Sequence, residues 1–200
     1  MKFRSRSLPV IMALCVSSAS QAAIYTTTLS GPAEAIPNTS AGTGKATVNF
    51  DLTAHLLNID MSFSGLTSGT TASHIHCCTP PPTAAAVATQ VPTFIGFPLG
   101  VTSGTYSHTF NTLDAATWNP TFVTASGGSA AGAEAALAAG LAAGVSYLNI
   151  HTSAFPNGEI RGFLTAATNG QAPEPPALAL FAIAVGALVA AGRKRRSSAR

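Results

Sequence analysis

Residues 144–164 read GVSYLNIHTSAFPNGEIRGFL, the most densely patterned stretch of the chain outside its two ends. Positions 145–152 alternate β-branched or aromatic residues with polar ones, and the alternation resumes over 159–165. Between these runs, Phe155-Pro156-Asn157-Gly158 supplies the residues of a turn. The stretch therefore predicts a β-hairpin.

The second half of this hairpin holds an unusual pair of charges. Arg161 and Lys45 are the two basic residues between positions 22 and 192, and Arg161 follows Glu159 at a same-face spacing. An ion pair that stabilises the hairpin is one interpretation, and an acid/base site is the other, although no nucleophile motif accompanies the pair.

Pairing in the hairpin has two possible registers. If Thr152 pairs with Glu159, His151 shares its face with Ile160. A shift of one residue instead assembles one polar face from Asn149, His151, Glu159 and Arg161.

Further alternating segments precede the hairpin. They are separated by turn residues and lie at 24–29, 45–52, 55–63, 71–76 and 105–111. One alanine-rich helical pattern covers 129–143 and ends at Gly144. The elements predict an all-β fold, either an antiparallel Greek-key sandwich or a flattened barrel, with one short Ala-rich helix inserted.

Two motifs resemble the CHRD domain, a module repeated in chordin and found singly in exported bacterial proteins. The motifs are Ala72-Ser73-His74-Ile75-His76, and Tyr147-Leu148-Asn149-Ile150-His151-Thr152 followed by Pro156-Asn157-Gly158-Glu159-Ile160-Arg161-Gly162. The resemblance covers roughly 25–167 within a domain expected at 23–168. It marks Asn149, Gly158, Glu159, Arg161 and Gly162 as motif residues, and it implies protein binding by a non-enzymatic module.

The same motifs predict a candidate metal site. His74 and His76 stand two apart on a predicted strand, so both rings project from one face about 6.5 to 7 Å apart at the backbone. His151 could add a third nitrogen, which makes a Cu or Zn site chemically reasonable if it lies within about 10 Å of His76. The alternative is a structural role, in which the imidazoles bond backbone carbonyls. The His-Ile-His also resembles part of the ligand set of copper-zinc superoxide dismutase.

Cys77 and Cys78 follow the His-Ile-His, where chordin-type domains carry a small or glycine-bearing loop. They could form a vicinal disulfide, pair between chains, or serve as further metal ligands. The third cysteine, Cys15, lies in the segment predicted to be removed.

The N-terminus has the pattern of a secretory signal peptide over 1–22. Lys2, Arg4 and Arg6 precede an apolar run at 8–16, and small residues follow it. A membrane anchor is the alternative, but the run is too short to span a bilayer. We therefore expect export.

The C-terminus combines a Pro-Glu-Pro linker at 169–176, a predicted transmembrane helix at 177–192 and a basic cytoplasmic tail at 193–200. The residues that define this pattern are Pro173, Glu174, Pro175, Arg193, Lys194, Arg195 and Arg196. The arrangement resembles a PEP-CTERM sorting signal of Gram-negative bacteria. The resemblance implies an exosortase-type processing enzyme, transient anchoring in the inner membrane, and a final place at the cell surface or outside the cell. A permanent anchor is the alternative.

The charge of the predicted mature domain excludes one class of partner. Residues 23–172 carry two basic and six acidic side chains, a formal charge of −4, although the whole chain carries +3. Without a basic patch, nucleic acid is not an expected partner. We expect a surface- or matrix-directed binding or structural module, with a polysaccharide or matrix protein as partner. A copper- or zinc-binding domain for storage or redox chemistry is the alternative.

Overall fold

A computed structural model describes residues 22–167. The predicted linker, transmembrane helix, basic tail and sorting-signal residues lie outside this range, as does the predicted signal peptide except for its last residue. Among the described residues, no helix is both long enough and apolar enough to cross a membrane.

The described chain is mostly β. Its nine strands are β1 (Ala23–Ser30), β2 (Thr43–Asp51), β3 (Leu56–Ser64), β4 (Thr70–Cys77), β5 (Ala86–Val87), β6 (Gly104–Asn111), β7 (Tyr147–Thr152), β8 (Ile160–Phe163) and β9 (Thr165–Ala166). Two α-helices, α1 (Pro120–Ala125) and α2 (Ala130–Ala142), and two short 3-10 turns complete the fold. The predicted alternating segments are confirmed as strands because their apolar residues recur with the two-residue period of a strand.

All pairings are antiparallel and belong to one sheet, in the order β5-β4-β7-β8-β1-β2-β3-β6, with β9 added beside β1. The sheet curls into a half-barrel. The predicted antiparallel β architecture is confirmed, and β8 and β1 pair at Ser30 and Arg161, which joins the two groups of strands.

The core lies on the concave face of this sheet. In β3, Leu57, Ile59, Met61 and Phe63 are all buried while the residues between them are intermediate or exposed. Burial of such side chains contributes about 1.5–3 kcal/mol each. The alternation of the sequence therefore sets which face of each strand becomes core.

Helix α2 packs on the concave face and confirms the predicted Ala-rich helix. Ser129 caps its N-terminus by accepting a hydrogen bond from the Gly132 N–H, and Gly144 follows its C-terminus with φ +68°. Leu137 and Leu141, one turn apart, are at most 1% exposed. Small residues on the rest of the helix allow this close approach.

Residues 79–98, here called the covering segment, pack against the free edge and the outer face of β4. The Ala88 N–H donates to Ile75 O at 2.9 Å, and the Phe94 N–H donates to Ser73 O at 3.3 Å. Phe94 itself is fully buried. The proline-rich connection is therefore a packed part of the domain.

Candidate metal centre

Strand β4 carries two histidines on its outer face. Ser73, Ile75 and Cys77 point into the core and are at most 4% exposed. Because neighbouring side chains on a strand point to opposite faces, His74 and His76 project together on the other side. They are nevertheless only 6% and 7% exposed, since the covering segment lies over them.

Strand β7 adds the third histidine. The register pairs His74 with Asn149 and Ala72 with His151, so His151 is a diagonal neighbour of His74 on the outer face. Ring centroids lie 5.8 Å apart for His74 and His76, 5.3 Å for His74 and His151, and 6.2 Å for His76 and His151. The structure thus brings together the three predicted histidines, here called the histidine cluster.

Each ring of the histidine cluster is oriented by a backbone carbonyl. The hydrogen bonds run from His74 Nε2 to Pro92 O (2.7 Å), from His76 Nδ1 to Ala85 O (2.8 Å) and from His151 Nδ1 to Pro156 O (2.9 Å). Because a carbonyl oxygen only accepts, the bonded nitrogen carries the hydrogen and the other presents a lone pair. Metal-binding histidines are commonly held by such an outer-shell bond.

The other nitrogen of each ring is buried and has no hydrogen-bond partner among the described residues. These atoms are His74 Nδ1, His76 Nε2 and His151 Nε2. One ligand nitrogen from each ring lies within 4.8 Å of the others. Metal–nitrogen bonds near 2 Å require tetrahedral ligands roughly 3.3 Å apart, so small side-chain rotations would let all three reach one ion.

The surroundings keep these imidazoles neutral. Burial lowers the pKa of His74 and of His76 from 6.5 to about 4, against the opposing effect of the hydrogen bonds to Pro92 and Ala85. Burial also lowers the pKa of His151. Neutral imidazole is the form that binds a metal ion.

Tyr147 connects the histidine cluster to the covering segment. Its ring stacks on His76 with the centroids 4.7 Å apart, and its hydroxyl accepts a hydrogen bond from the Ala85 N–H at 3.1 Å. The same Ala85 supplies the carbonyl that orients His76. Tyr147 therefore helps to hold both the ring and its acceptor.

Arg161 lies beside the histidine cluster without joining it. Its guanidinium stacks on the rings of Tyr147 and Phe163, 4.8 and 5.3 Å from their centroids. Nη2 donates to Pro82 O at 2.5 Å, and Nε donates to Ala33 O. Arg161 thereby connects strand β8 to the covering segment and to the 3-10 turn Gly31–Ala33 that follows β1.

The buried partner of Arg161 is Glu34, not the predicted Glu159. Glu34 Oε2 lies 3.9 Å from Arg161 Nε. Burial raises the pKa of Glu34 from 4.5 to about 7, although Arg161 acts in the opposite direction. Gly158 makes room for this carboxylate, because a Cβ there would lie 2.7 Å from Glu34 Oε1.

Glu159 binds elsewhere, although the hairpin adopts the second predicted register with Asn149 opposite Arg161. Its carboxylate accepts hydrogen bonds from Ser40 Oγ (2.5 Å), the Thr67 N–H (2.6 Å) and Thr152 Oγ1 (2.6 Å). Burial opposes ionisation, but these bonds together lower the pKa of Glu159. The β7–β8 ladder ends at Ile160, so Glu159 departs from the strand alternation that would have aimed it at the histidines.

Gly162 has a packing role at the junction of β8 and β1. A Cβ at this position would lie 2.3 Å from Thr28 O. Only glycine lets the two backbones approach so closely.

Cys77 and Cys78 lie away from the histidine cluster. They are joined by a disulfide, the first of the three predicted alternatives. A Cβ at Gly140 would lie 2.3 and 2.7 Å from their sulfur atoms, which therefore pack against helix α2 on the concave side. They are not placed to act as metal ligands with the histidines.

Sequence patterns missed part of this site. The strand alternation that places Asn149 and His151 on one face also places Tyr147 there, so its position beside the histidines could have been predicted. Glu34 is distant in sequence, and the carbonyls of Ala85 and Pro92 have no residue-type signature. These groups come to the site through long-range contacts.

The fold and this site define a curled antiparallel β domain with a buried cluster of neutral histidines. The chain belongs to the CHRD domain family, whose model matches residues 25–164. No curated protein and no solved structure matches the chain.

Proposed function

We propose that this CHRD domain is a non-enzymatic module that binds one transition-metal ion, copper or zinc, through His74, His76 and His151. Two observations carry the proposal: one ligand nitrogen from each of the three rings lies within 4.8 Å of the others, and each ring has a buried nitrogen without a hydrogen-bond partner among the described residues. Imidazole nitrogens suit copper and zinc.

The orientation of the rings supports a metal site over a purely structural role. A structural histidine needs its hydrogen bonds satisfied. Each of these rings instead has one nitrogen bonded to a backbone carbonyl and one that no described residue bonds. An unpaired buried acceptor costs about 1–3 kcal/mol. A bound cation would offset this cost at all three positions.

The test is the metal content of the full chain, expressed with its own termini and purified without chelator. We expect about one equivalent of copper or zinc and its loss in the His74→Ala/His76→Ala double variant. His108→Ala is the matched control, because His108 lies on β6 outside the histidine cluster. At 100 times the Kd, added metal should raise the free energy of unfolding by about 2.7 kcal/mol. Metal-free protein with an unchanged melting temperature on addition of Cu²⁺ or Zn²⁺ would contradict the proposal.

Redox catalysis, as in superoxide dismutase, is the second candidate, and the burial of the histidines argues against it. A catalytic metal keeps an open position for its substrate, whereas His74 and His76 are covered by residues 79–98. Superoxide turnover by the metal-loaded chain, abolished in the double histidine variant, would favour the enzyme over the binding module.

We also propose that the domain is exported and directed to the cell surface or the extracellular matrix. The basic and apolar N-terminal pattern and the Pro-Glu-Pro, apolar and basic C-terminal pattern support this. An exosortase-type enzyme would process the C-terminus, after which a polysaccharide or matrix protein could be the partner. Intact-mass measurement of the protein recovered from the host tests both cleavages, and an uncut C-terminus would favour a permanent anchor.

A further inference from the structure

Asn149 is a fourth buried acceptor on the face that carries the histidine cluster. It pairs directly with His74 across the β4–β7 ladder and precedes His151 by two residues on the same strand face. The side chain is 2% exposed, and Oδ1 has no hydrogen-bond partner among the described residues.

A hydrogen bond to the backbone of Asn149 fixes the position from which its side chain projects. Ser73 Oγ donates to Asn149 O at 2.8 Å from the neighbouring strand. The side chain of Asn149 therefore projects from β7 on the face that carries His151 and His74, its direct cross-strand neighbour.

The chemistry of the cluster calls for more than a water molecule. Three ring nitrogens and one amide oxygen present lone pairs, and each of these atoms is buried and unpartnered in the described chain. A single water molecule donates only two hydrogen bonds and would leave two of these four acceptors unpaired. The unpartnered donor on this face of the described chain is Nη1 of Arg161, the residue opposite Asn149 on β8. A metal ion with four ligands would satisfy all four acceptors.

We propose that Asn149 Oδ1 is the fourth ligand of the metal ion, which completes a neutral site of three nitrogens and one oxygen. This inference rests on the proposed metal-binding function and adds a residue that determines coordination number and affinity. Because no ligand carries a charge, a bound Cu²⁺ or Zn²⁺ keeps its full positive charge. An anionic oxygen at this position would therefore bind the ion more tightly.

The experiment compares Asn149→Ala and Asn149→Asp in the full chain, with Co²⁺ as a spectroscopic probe and Zn²⁺ competition for affinity. Asn149→Ala removes the oxygen, and we expect at least a tenfold weaker Kd and a changed Co²⁺ absorption spectrum. Asn149→Asp keeps an oxygen in the same place but loses the amide N–H groups. We expect it to bind at least as tightly as the original chain.

The matched control is Asn49→Ala. Asn49 lies on β2, outside the histidine cluster, and its Oδ1 is also buried and has no partner within residues 22–167. We expect its Co²⁺ spectrum and Kd to equal those of the original chain. Circular dichroism checks that each variant folds, and Asn149→Asp decides the matter if Asn149→Ala does not fold.

Two outcomes would overturn the inference while leaving the proposed function intact. One is an original chain that binds metal and an Asn149→Ala variant with the same spectrum and Kd. The other is an Asn149→Asp variant with weakened binding like that expected of Asn149→Ala, because the amide N–H groups would then be the important ones. An original chain that binds neither Co²⁺ nor Zn²⁺ would overturn the proposed function itself.

Discussion

Two pairs of cross-strand neighbours show how differently the two halves of the sheet use their outer faces. Thr47 on β2 and Asp60 on β3 face each other and are both exposed. His74 on β4 and Asn149 on β7 face each other in the same way but are only 6% and 2% exposed. We call the strands β1, β2, β3 and β6 the open half, and β4, β7 and β8 the covered half.

The difference comes from what lies over each half. In the open half, outward-facing side chains such as Thr47 and Asp60 are exposed to solvent, as on most antiparallel sheets. In the covered half, residues 79–98 and the turn after β1 exclude water. Polar groups there must bond to one another or to a ligand. The same strand geometry therefore makes a solvated surface in one half and a candidate metal centre in the other.

We expect the largest effect on stability from removing Arg161, the buried cation of the covered half. Arg161→Ala would leave Glu34 without its partner and would remove the hydrogen bonds to Ala33 O and Pro82 O. We expect the free energy of unfolding, measured with urea, to fall by about 3–5 kcal/mol. Lys45→Ala removes an exposed cation in the open half and should change it by less than about 0.5 kcal/mol. If the two substitutions lowered the free energy of unfolding equally, the claim that a cation matters more to stability in the covered half would be wrong.

We expect acid to lower the free energy of unfolding of the metal-free domain, because folding disfavours protonation of the histidine cluster. His74 and His76 have a pKa of about 4 in the folded chain against 6.5 ordinarily. Between those values the unfolded chain binds protons that the folded chain does not, so stability falls as pH falls from 6.5 to 4 and is unaffected by these groups above 6.5. One such histidine contributes about 3 kcal/mol across this window.

This pH dependence is measured by urea unfolding of chelator-treated protein between pH 4 and pH 7.5, with His76→Gln for comparison. The variant should lose part of the acid sensitivity. Glu34 acts with the opposite sign, because its pKa is raised to about 7 and its ionisation costs stability as pH rises from 4.5 to 7. A Glu34→Gln variant should therefore show a steeper loss in acid. An identical pH profile for the original chain and His76→Gln would contradict the assignment.

A smaller effect is expected at the buried carboxylate beside the hairpin. Glu159→Gln keeps the shape but removes the charge that accepts hydrogen bonds from Ser40, Thr67 and Thr152. We expect a loss of about 1–3 kcal/mol in the free energy of unfolding. Asp60→Asn, which changes an exposed carboxylate of the open half, is the control and should be nearly neutral. A neutral Glu159→Gln would show that these hydrogen bonds do not depend on the charge.

Much of the fold could be predicted from local patterns. Alternation identified the long strands because one face of each strand is buried, as from Leu57 to Phe63. Ser129 and Gly144 marked the ends of helix α2 because capping is a local interaction. Whether the strands form two stacked sheets or one curled sheet was open, since the contact of Ser30 with Arg161 that joins them spans most of the domain.

The candidate site also has some features that could be predicted from local patterns and others that could not. The sequence by itself determined that His74 and His76 share a face, because the side chains of a strand repeat every two residues. Tertiary structure alone decided that His151 joins them, that Glu34 and not Glu159 pairs with Arg161, and that backbone carbonyls set the tautomer of each ring. These features depend on register and on a covering segment that packs over the sheet. Local periodicity contains no information about contacts between residues so far apart in the chain.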